Sequence, residues 1–195
     1  MSVSLQKGQK INLSKESAGL GKVIVGLGWD EVKQSRGFFG TKTADIDCDA
    51  SAILLQQGKF VAKEDLVYFG NLKHISGAIQ HMGDNLTGAG AGDDEQIMID
   101  LASVPVQYDR IVIVVTIYGA VPKKQHFGMI ENAFIRLVDG RNNSEICKYS
   151  LTENYSGMTA MIFGEIYRNN GEWKFGAIGQ GTNDPGLGEL TRRYQ

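Results

Sequence analysis

The sequence predicts an all-β fold: an antiparallel β-sandwich of about ten short strands, with short helices in connections and at the C-terminus. Three observations carry that prediction. Short β-branched and aromatic runs recur at regular spacing between turn residues. No segment holds a 3.6-residue apolar period long enough to build a βαβ unit. Asn169-Asn170-Gly171 separates two alternating runs, which is the signature of a β-hairpin turn. The chain has 195 residues and 42% hydrophobic content, enough for one core, and no boundary, repeat or low-complexity segment divides it. A single domain over residues 1–195 follows.

The elements justify the class in order. Lys10 to Leu13 alternates as a short strand, and Ser14 to Gly21 is a polar connection. Lys22 to Leu27 is β-rich and buried, and it ends in Gly28-Trp29-Asp30, a carboxylate at the end of a core strand. Residues 31–43 form a polar excursion. Asp45 to Leu55 carries aspartates at every second position, Asp45, Asp47 and Asp49, which a strand would set on one face about 7 Å apart. Gln56 to Lys59 is a turn, and Leu66 to Phe69 is a strand ending in Gly70-Asn71. Gly77 to His81 and Gln96 to Leu101 flank an acidic loop. Arg110 to Tyr118 is nearly all β-branched, which predicts a central strand covered on both faces. Gly119 to Met129 is a loop with at most a short helix. Further strands are expected at 133–138, 146–151, 159–167 and 173–178, with a terminal helix at 186–194.

Composition excludes several functions. The net charge of −2 supplies no basic field for nucleic acid. The two cysteines, Cys48 and Cys147, have no metal-ligand spacing and are expected to be buried free thiols. The N-terminus lacks an apolar core of signal-peptide length, and the longest apolar run, Ile111 to Ile117, is too short to span a bilayer. An intracellular protein with no transmembrane segment, whose membrane contact is at most peripheral, is the expectation.

One stretch stands out: Gly83-Asp84-Asn85-Leu86-Thr87-Gly88-Ala89-Gly90-Ala91-Gly92-Asp93-Asp94-Glu95. Two like charges about 4 Å apart repel by roughly 4 kcal/mol at an effective dielectric near 20, so four carboxylates in one loop call for compensation. A hard divalent cation supplies it, because calcium takes carboxylate and backbone carbonyl oxygens together. The stretch mimics an EF-hand only at its ends: Asp84 and Glu95 stand at positions 1 and 12, but Leu86 and Gly88 occupy ligand positions and Ala89 replaces the required glycine. It is no phosphate loop either, since no Lys-Ser/Thr follows. Asp30, the aspartates of 45–49, Asn71 and the 84–95 loop all fall at ends of expected strands. In a sandwich these ends converge on a rim.

The three histidines, His74, His81 and His126, form no paired zinc motif. No Gly-x-Ser-x-Gly is present. Two readings remain beside a calcium protein: a hydrolase whose rim carboxylates hold catalytic ions, and a module in which calcium bridges to a sugar, lipid headgroup or partner.

The ordered motifs Val25-Gly26-Leu27-Gly28-Trp29-Asp30, Asp47-Cys48-Asp49-Ala50-Ser51-Ala52, Gly83-Asp84-Asn85-Leu86-Thr87-Gly88, Gly92-Asp93-Asp94-Glu95, Asn132-Ala133-Phe134-Ile135-Arg136 and Gly171-Glu172-Trp173-Lys174-Phe175 resemble the TerD family of bacterial tellurium-resistance and general-stress proteins, nearly end to end. The resemblance implies a cytoplasmic, non-enzymatic, calcium-binding β-sandwich, peripheral at the inner face of the membrane. It implies partners among other proteins of the tellurium-resistance type or a membrane-associated complex. Carried over by position, the ligands would be Asp30, Asp47, Asp49, Asp84, Asn85, Asp93, Asp94 and Glu95, with carbonyls near Gly88 and Gly90 and with Asn71 on the same rim. Asp45 is an extra acid. Gly119, Asn154 and Met158 stand where the family carries acids that would support a second ion.

Overall fold

The computed structural model describes residues 2–31, 46–84 and 92–195. Of the expected excursion over 31–43, Glu31 instead ends a strand; the rest of it, the extra acid Asp45, and the ligand positions Asn85, Gly88 and Gly90 lie outside the described residues. The strands are β1 (Val3–Leu5), β2 (Lys10–Asn12), β3 (Lys22–Glu31), β4 (Cys48–Leu55), β5 (Leu66–Val67) and β6 (Ile79–Asp84). They continue with β7 (Glu95–Asp100), β8 (Arg110–Ile117), β9 (Ile130–Asp139), β10 (Glu145–Ser150), β11 (Ala160–Asn169) and β12 (Glu172–Thr182). Helices are single turns: α1 (Leu13–Glu16), α2 (Ala120–Lys123) and α3 (Leu187–Thr191).

Two six-stranded sheets form, in the orders β1-β10-β9-β3-β7-β6 and β2-β12-β11-β8-β4-β5. Pairing among the described residues is antiparallel except at one edge, where β1 runs parallel to β10 with Val3 opposite Cys147. The sheets bury one core between them. Val23, Val25, Leu27, Ile97, Ile99, Ile135 and Leu137 line one wall, and Ala52, Leu54, Ile111, Ile113, Val115, Phe163 and Phe175 line the other. Alternation along β7 shows how the sequence chooses that wall: Glu95, Ile97 and Ile99 are buried, while Gln96, Met98 and Asp100 are half-buried.

The uniformly apolar β8 is explained by a second layer. Its inward residues join the main core, while Val112 and Val114 pack outward with Ile53, Leu55, Ala160, Ile162 and Leu190. The C-terminal segment covers that outer face, with Leu187 and Tyr194 against the cluster and the Tyr194 carbonyl accepting the Phe60 N–H at 2.6 Å. Burial holds the Tyr194 phenol up at about 12, so it stays neutral against the apolar layer. Cys48 and Cys147 are buried free thiols, as their spacing suggested, and burial pushes the Cys147 thiol up to about 12. Trp173 is a core residue whose indole N–H donates to the Leu101 carbonyl at 3.1 Å.

Candidate functional site

β3, β4, β6 and β7 deliver their acidic residues to one end of the sandwich. At that end β3 pairs with β7 through Leu27 and Glu95, and β6 pairs with β7 through Asp84 and Glu95. β4 arrives from the other sheet. Glu95 joins the two: it is 5% exposed, and its Oε2 accepts the Ala50 N–H of β4. The neighbouring Asp47 is fixed through its carbonyl, which accepts the Tyr118 N–H at 2.7 Å. β4 begins at Cys48, so of the expected row of aspartates Asp49 lies on the strand and Asp47 just before it, while Asp45 lies outside the described residues. Asp47 precedes the strand and is exposed, and Asp49 on the strand is half-buried.

The consecutive acids Asp93-Asp94-Glu95 point three ways. Asp93 lies over the outward face of its sheet. Its Oδ1 accepts Arg136 Nε–H at 2.7 Å, and its Oδ2 accepts from Arg136 Nη2 at 3.2 Å and from Gln96 Nε2 at 2.9 Å. Gly26 stands opposite both Gln96 and Arg136, and a Cβ there would overlap the Asp93 carboxylate. The glycine that follows the β-branched run Val23-Ile24-Val25 therefore makes room for an acid laid flat on the sheet. Asp94 turns to β3: its Oδ2 accepts the Trp29 N–H at 2.7 Å, and its own N–H donates to the Leu27 carbonyl at 2.7 Å. Glu95 turns inward.

His81 completes the inner end. It is 2% exposed, and its Nδ1 accepts the Gly83 N–H at 3.0 Å. That bond puts the ring proton of the neutral imidazole on Nε2, which faces Glu95 Oε1 at 3.7 Å. Asp30 is exposed at the end of β3, and its Oδ2 accepts from Asn132 Nδ2 at 2.9 Å. Beside it Glu131, Asn132, Glu153 and Asn154 line a groove of about 320 Å³, and Glu153 is paired with Lys7 at 2.6 Å.

The structure thus brings Asp30, Asp47, Asp49, Asp84, Asp94 and Glu95 to one end, Asp84 by its strand position. It gives Asp93 to Arg136. Asn71 stands in the Tyr68–Asn71 turn, where its Nδ2 donates to the Leu66 carbonyl at 2.7 Å, and it lines a groove with Lys63 and Lys73. The Asn side chain is used to close a turn, which its sequence position after Gly70 already allowed. Sequence reasoning missed Arg136, Gln96 and His81. The isolated Gly26 was the available signal for the first two.

Carboxylate and carbonyl oxygens are the donors of a hard cation, so the donor chemistry at this end fits calcium. Among the described residues no three acidic, histidine or cysteine side chains close a cage by themselves. The charge at the end is instead distributed: Arg136 takes Asp93, backbone N–H groups take Asp94 and Glu95, and Asn132 takes one Asp30 oxygen.

Comparison with known proteins gives the family. The TerD domain family model matches residues 1–194. Stress response protein SCP2 of Bacillus subtilis (strain 168) is 57% identical over 198 residues, covering 100% of each chain. Tellurium resistance protein TerD of Serratia marcescens is 48% identical over 195 residues, covering 100% of this chain and 97% of the relative. A crystal structure of a telluride-resistance protein (TerD) homologue from Streptomyces coelicolor A3(2) superposes with a TM-score of 0.61 at 23% identity. It covers 85% of this chain and 92% of its own, and it supports the fold. By sequence across its whole length, the chain belongs to the TerD family of tellurium-resistance and stress-response proteins.

Proposed function

We propose that this TerD-family stress protein is a non-enzymatic calcium binder whose acidic end recognises the ion and transmits its presence to partner proteins. The observation that carries the reading is the convergence of acids from β3, β4, β6 and β7, clamped by the Glu95–Ala50 bond between the two sheets. Asp30, Asp47, Asp49, Asp84 and Asp94 would hold the ion, with Asn85 and the carbonyls of Gly88 and Gly90 adding oxygens from the loop. Glu95 acts as the strut that fixes β4 against β7, and Asp93 as the latch that fixes the loop's exit on the outer face. Calcium would supply neutralisation of the acidic end. The protein's own residues set its position and order the strand ends around it.

The expected partners are other proteins of the tellurium-resistance type or a membrane-associated complex, at the cytoplasmic side. No helix among the described residues is long and apolar enough to cross a membrane. The test is calorimetric titration of the chelator-stripped protein with calcium, paired with thermal melting. At a hundredfold excess over the dissociation constant one ion stabilises the fold by about 2.7 kcal/mol, or roughly 5–10 °C in a chain of this size. An unchanged melting point and no binding heat would sink the reading. Magnesium is expected to compete poorly, because it holds its waters and demands compact octahedral geometry.

A further inference from the structure

The segment between β4 and β6 carries a surface that the acidic end does not explain. Eight large apolar side chains among the described residues are exposed, and Val61, Phe69, Leu72 and Ile75 of this one segment are among them, with Met82 on the adjoining β6. Ile75 is 86% exposed and Phe69 56%. Both stand at the tips of hydrogen-bonded turns. Tyr68 to Asn71 closes with bonds of 3.1 and 2.9 Å, and His74 to Gly77 closes at 2.8 Å. A water-facing turn tip prefers Gly, Asn, Asp, Ser or Pro, so two apolar tips within one segment are out of place for a solvated loop.

The Ile75 tip is held from beneath. Asp65, at 3% exposure, and His74, at 2%, face each other with Nε2 and Oδ1 at 3.5 Å. Tyr108 donates its hydroxyl to Asp65, and burial with that bond keeps its phenol up at about 12, protonated for donation. His74 Nδ1 accepts the Ser76 N–H at 3.2 Å, which ties the ring to the turn presenting Ile75. The buried pair therefore joins the Lys63–Asp65 turn to the His74–Gly77 turn. Between them Lys63, Glu64, Tyr68, Asn71, Lys73 and Ile75 line a groove of about 540 Å³. Exposed charge here is Lys59, Lys63 and Lys73 against Glu64 alone, positive in a chain whose net charge is −2.

We propose that this surface docks directly on an anionic lipid bilayer. Exposed apolar tips, with Lys63 and Lys73 lining the groove beside Ile75, match the layered chemistry of a membrane interface. The tips enter the acyl boundary while lysine stems snorkel and their ammonium groups meet lipid phosphates. Rigid turns reduce the ordering cost of insertion. The contact does not depend on calcium and so stands apart from the reading of the acidic end.

The test is co-sedimentation of the full chain, in chelator, with vesicles of phosphatidylglycerol mixed into phosphatidylcholine and with phosphatidylcholine alone. Binding to the anionic vesicles that weakens with salt is expected, with about fivefold loss per lysine in Lys63→Gln and Lys73→Gln. Phe69→Ser with Ile75→Ser should lose at least about tenfold, at an unchanged melting temperature because both side chains are exposed. No sedimentation in chelator, sedimentation that needs calcium, or equal binding by the serine variant overturns the proposal. So does a concentration-dependent dimer that the same serine substitutions abolish, since that would assign the surface to a second copy of the chain.

Discussion

Replacing Arg136 with alanine tests the placement of Asp93 most directly. The Asp93 side chain is 1% exposed, and its two oxygens take Arg136 at 2.7 and 3.2 Å. Gln96 at 2.9 Å is a further polar neighbour on that face of the sheet. Removing one partner of a buried ion pair costs about 3–5 kcal/mol, because the other charge stays buried. The Arg136 side chain is 31% exposed, so water and Gln96 recover part of that loss; about 3 kcal/mol is the expected cost. In a chain of this size that is a fall of roughly 6–12 °C in melting temperature. Urea unfolding of Arg136→Ala, Asp93→Asn and the double variant reads the pair: an interaction energy of about 1–2 kcal/mol is expected. A loss below about 1 kcal/mol for Arg136→Ala, or additivity in the cycle, refutes the latch. Calcium titration of the same variant adds a second criterion. Affinity should be unchanged, and a tighter site would mean that Asp93 is a ligand for which Arg136 competes.

Asp139 is fully buried; three hydrogen bonds from the Arg141 guanidinium, with the Ser17 hydroxyl beside them, hold its carboxyl well below the usual range. A depressed folded-state pKa contributes stability that is complete above the unfolded value of about 3.9 and lost as pH falls toward the folded value. Asp139→Asn should therefore flatten the stability profile between about pH 5 and pH 2, measured by urea midpoints; an unchanged acid limb contradicts it. Leu190→Ala should cost about 2–5 kcal/mol, because Leu190 is 0% exposed between the outer apolar layer and the C-terminal segment. A cost near that of a surface substitution would show that the segment is not a true third layer.

Much of the fold was legible because burial leaves a periodic trace. The unbroken apolar run of β8 announced two covered faces, and Asn169-Asn170-Gly171 marked the β11–β12 hairpin, where Asn170 and Gly171 both take positive φ. What left no trace was short or non-periodic. Val3–Leu5 is too brief to show alternation, and its parallel partner lies far along the chain, at Cys147 to Tyr149. Leu13 was taken as strand yet opens a single helical turn, because Asn12 caps it by accepting the Lys15 N–H at 3.2 Å. The candidate site was legible as a set of acids at strand ends, but not as directions. Period two holds only inside a strand. β7 starts at Glu95, so Asp93 and Asp94 take orientations that no alternation rule predicts.

Those directions change what the acidic run means physically. Three adjacent carboxylates sharing one face would repel strongly and need an ion to coexist. Here Arg136 compensates Asp93 on the outer face, the Trp29 N–H meets Asp94 at the end, and the Ala50 N–H meets Glu95 between the sheets. Each bond reaches a different strand: β9, β3 and β4. The same residues therefore fasten the loop's exit to three neighbours, so the repulsion inside the run is already reduced by the protein. An ion at this end would thus be asked to neutralise mainly the acids that arrive from Asp30, Asp47, Asp49 and Asp84. It follows that Asp47→Asn with Asp49→Asn should weaken calcium binding more than Asp93→Asn. The latter should lower stability instead, and calorimetry paired with melting separates the two effects in one set of variants.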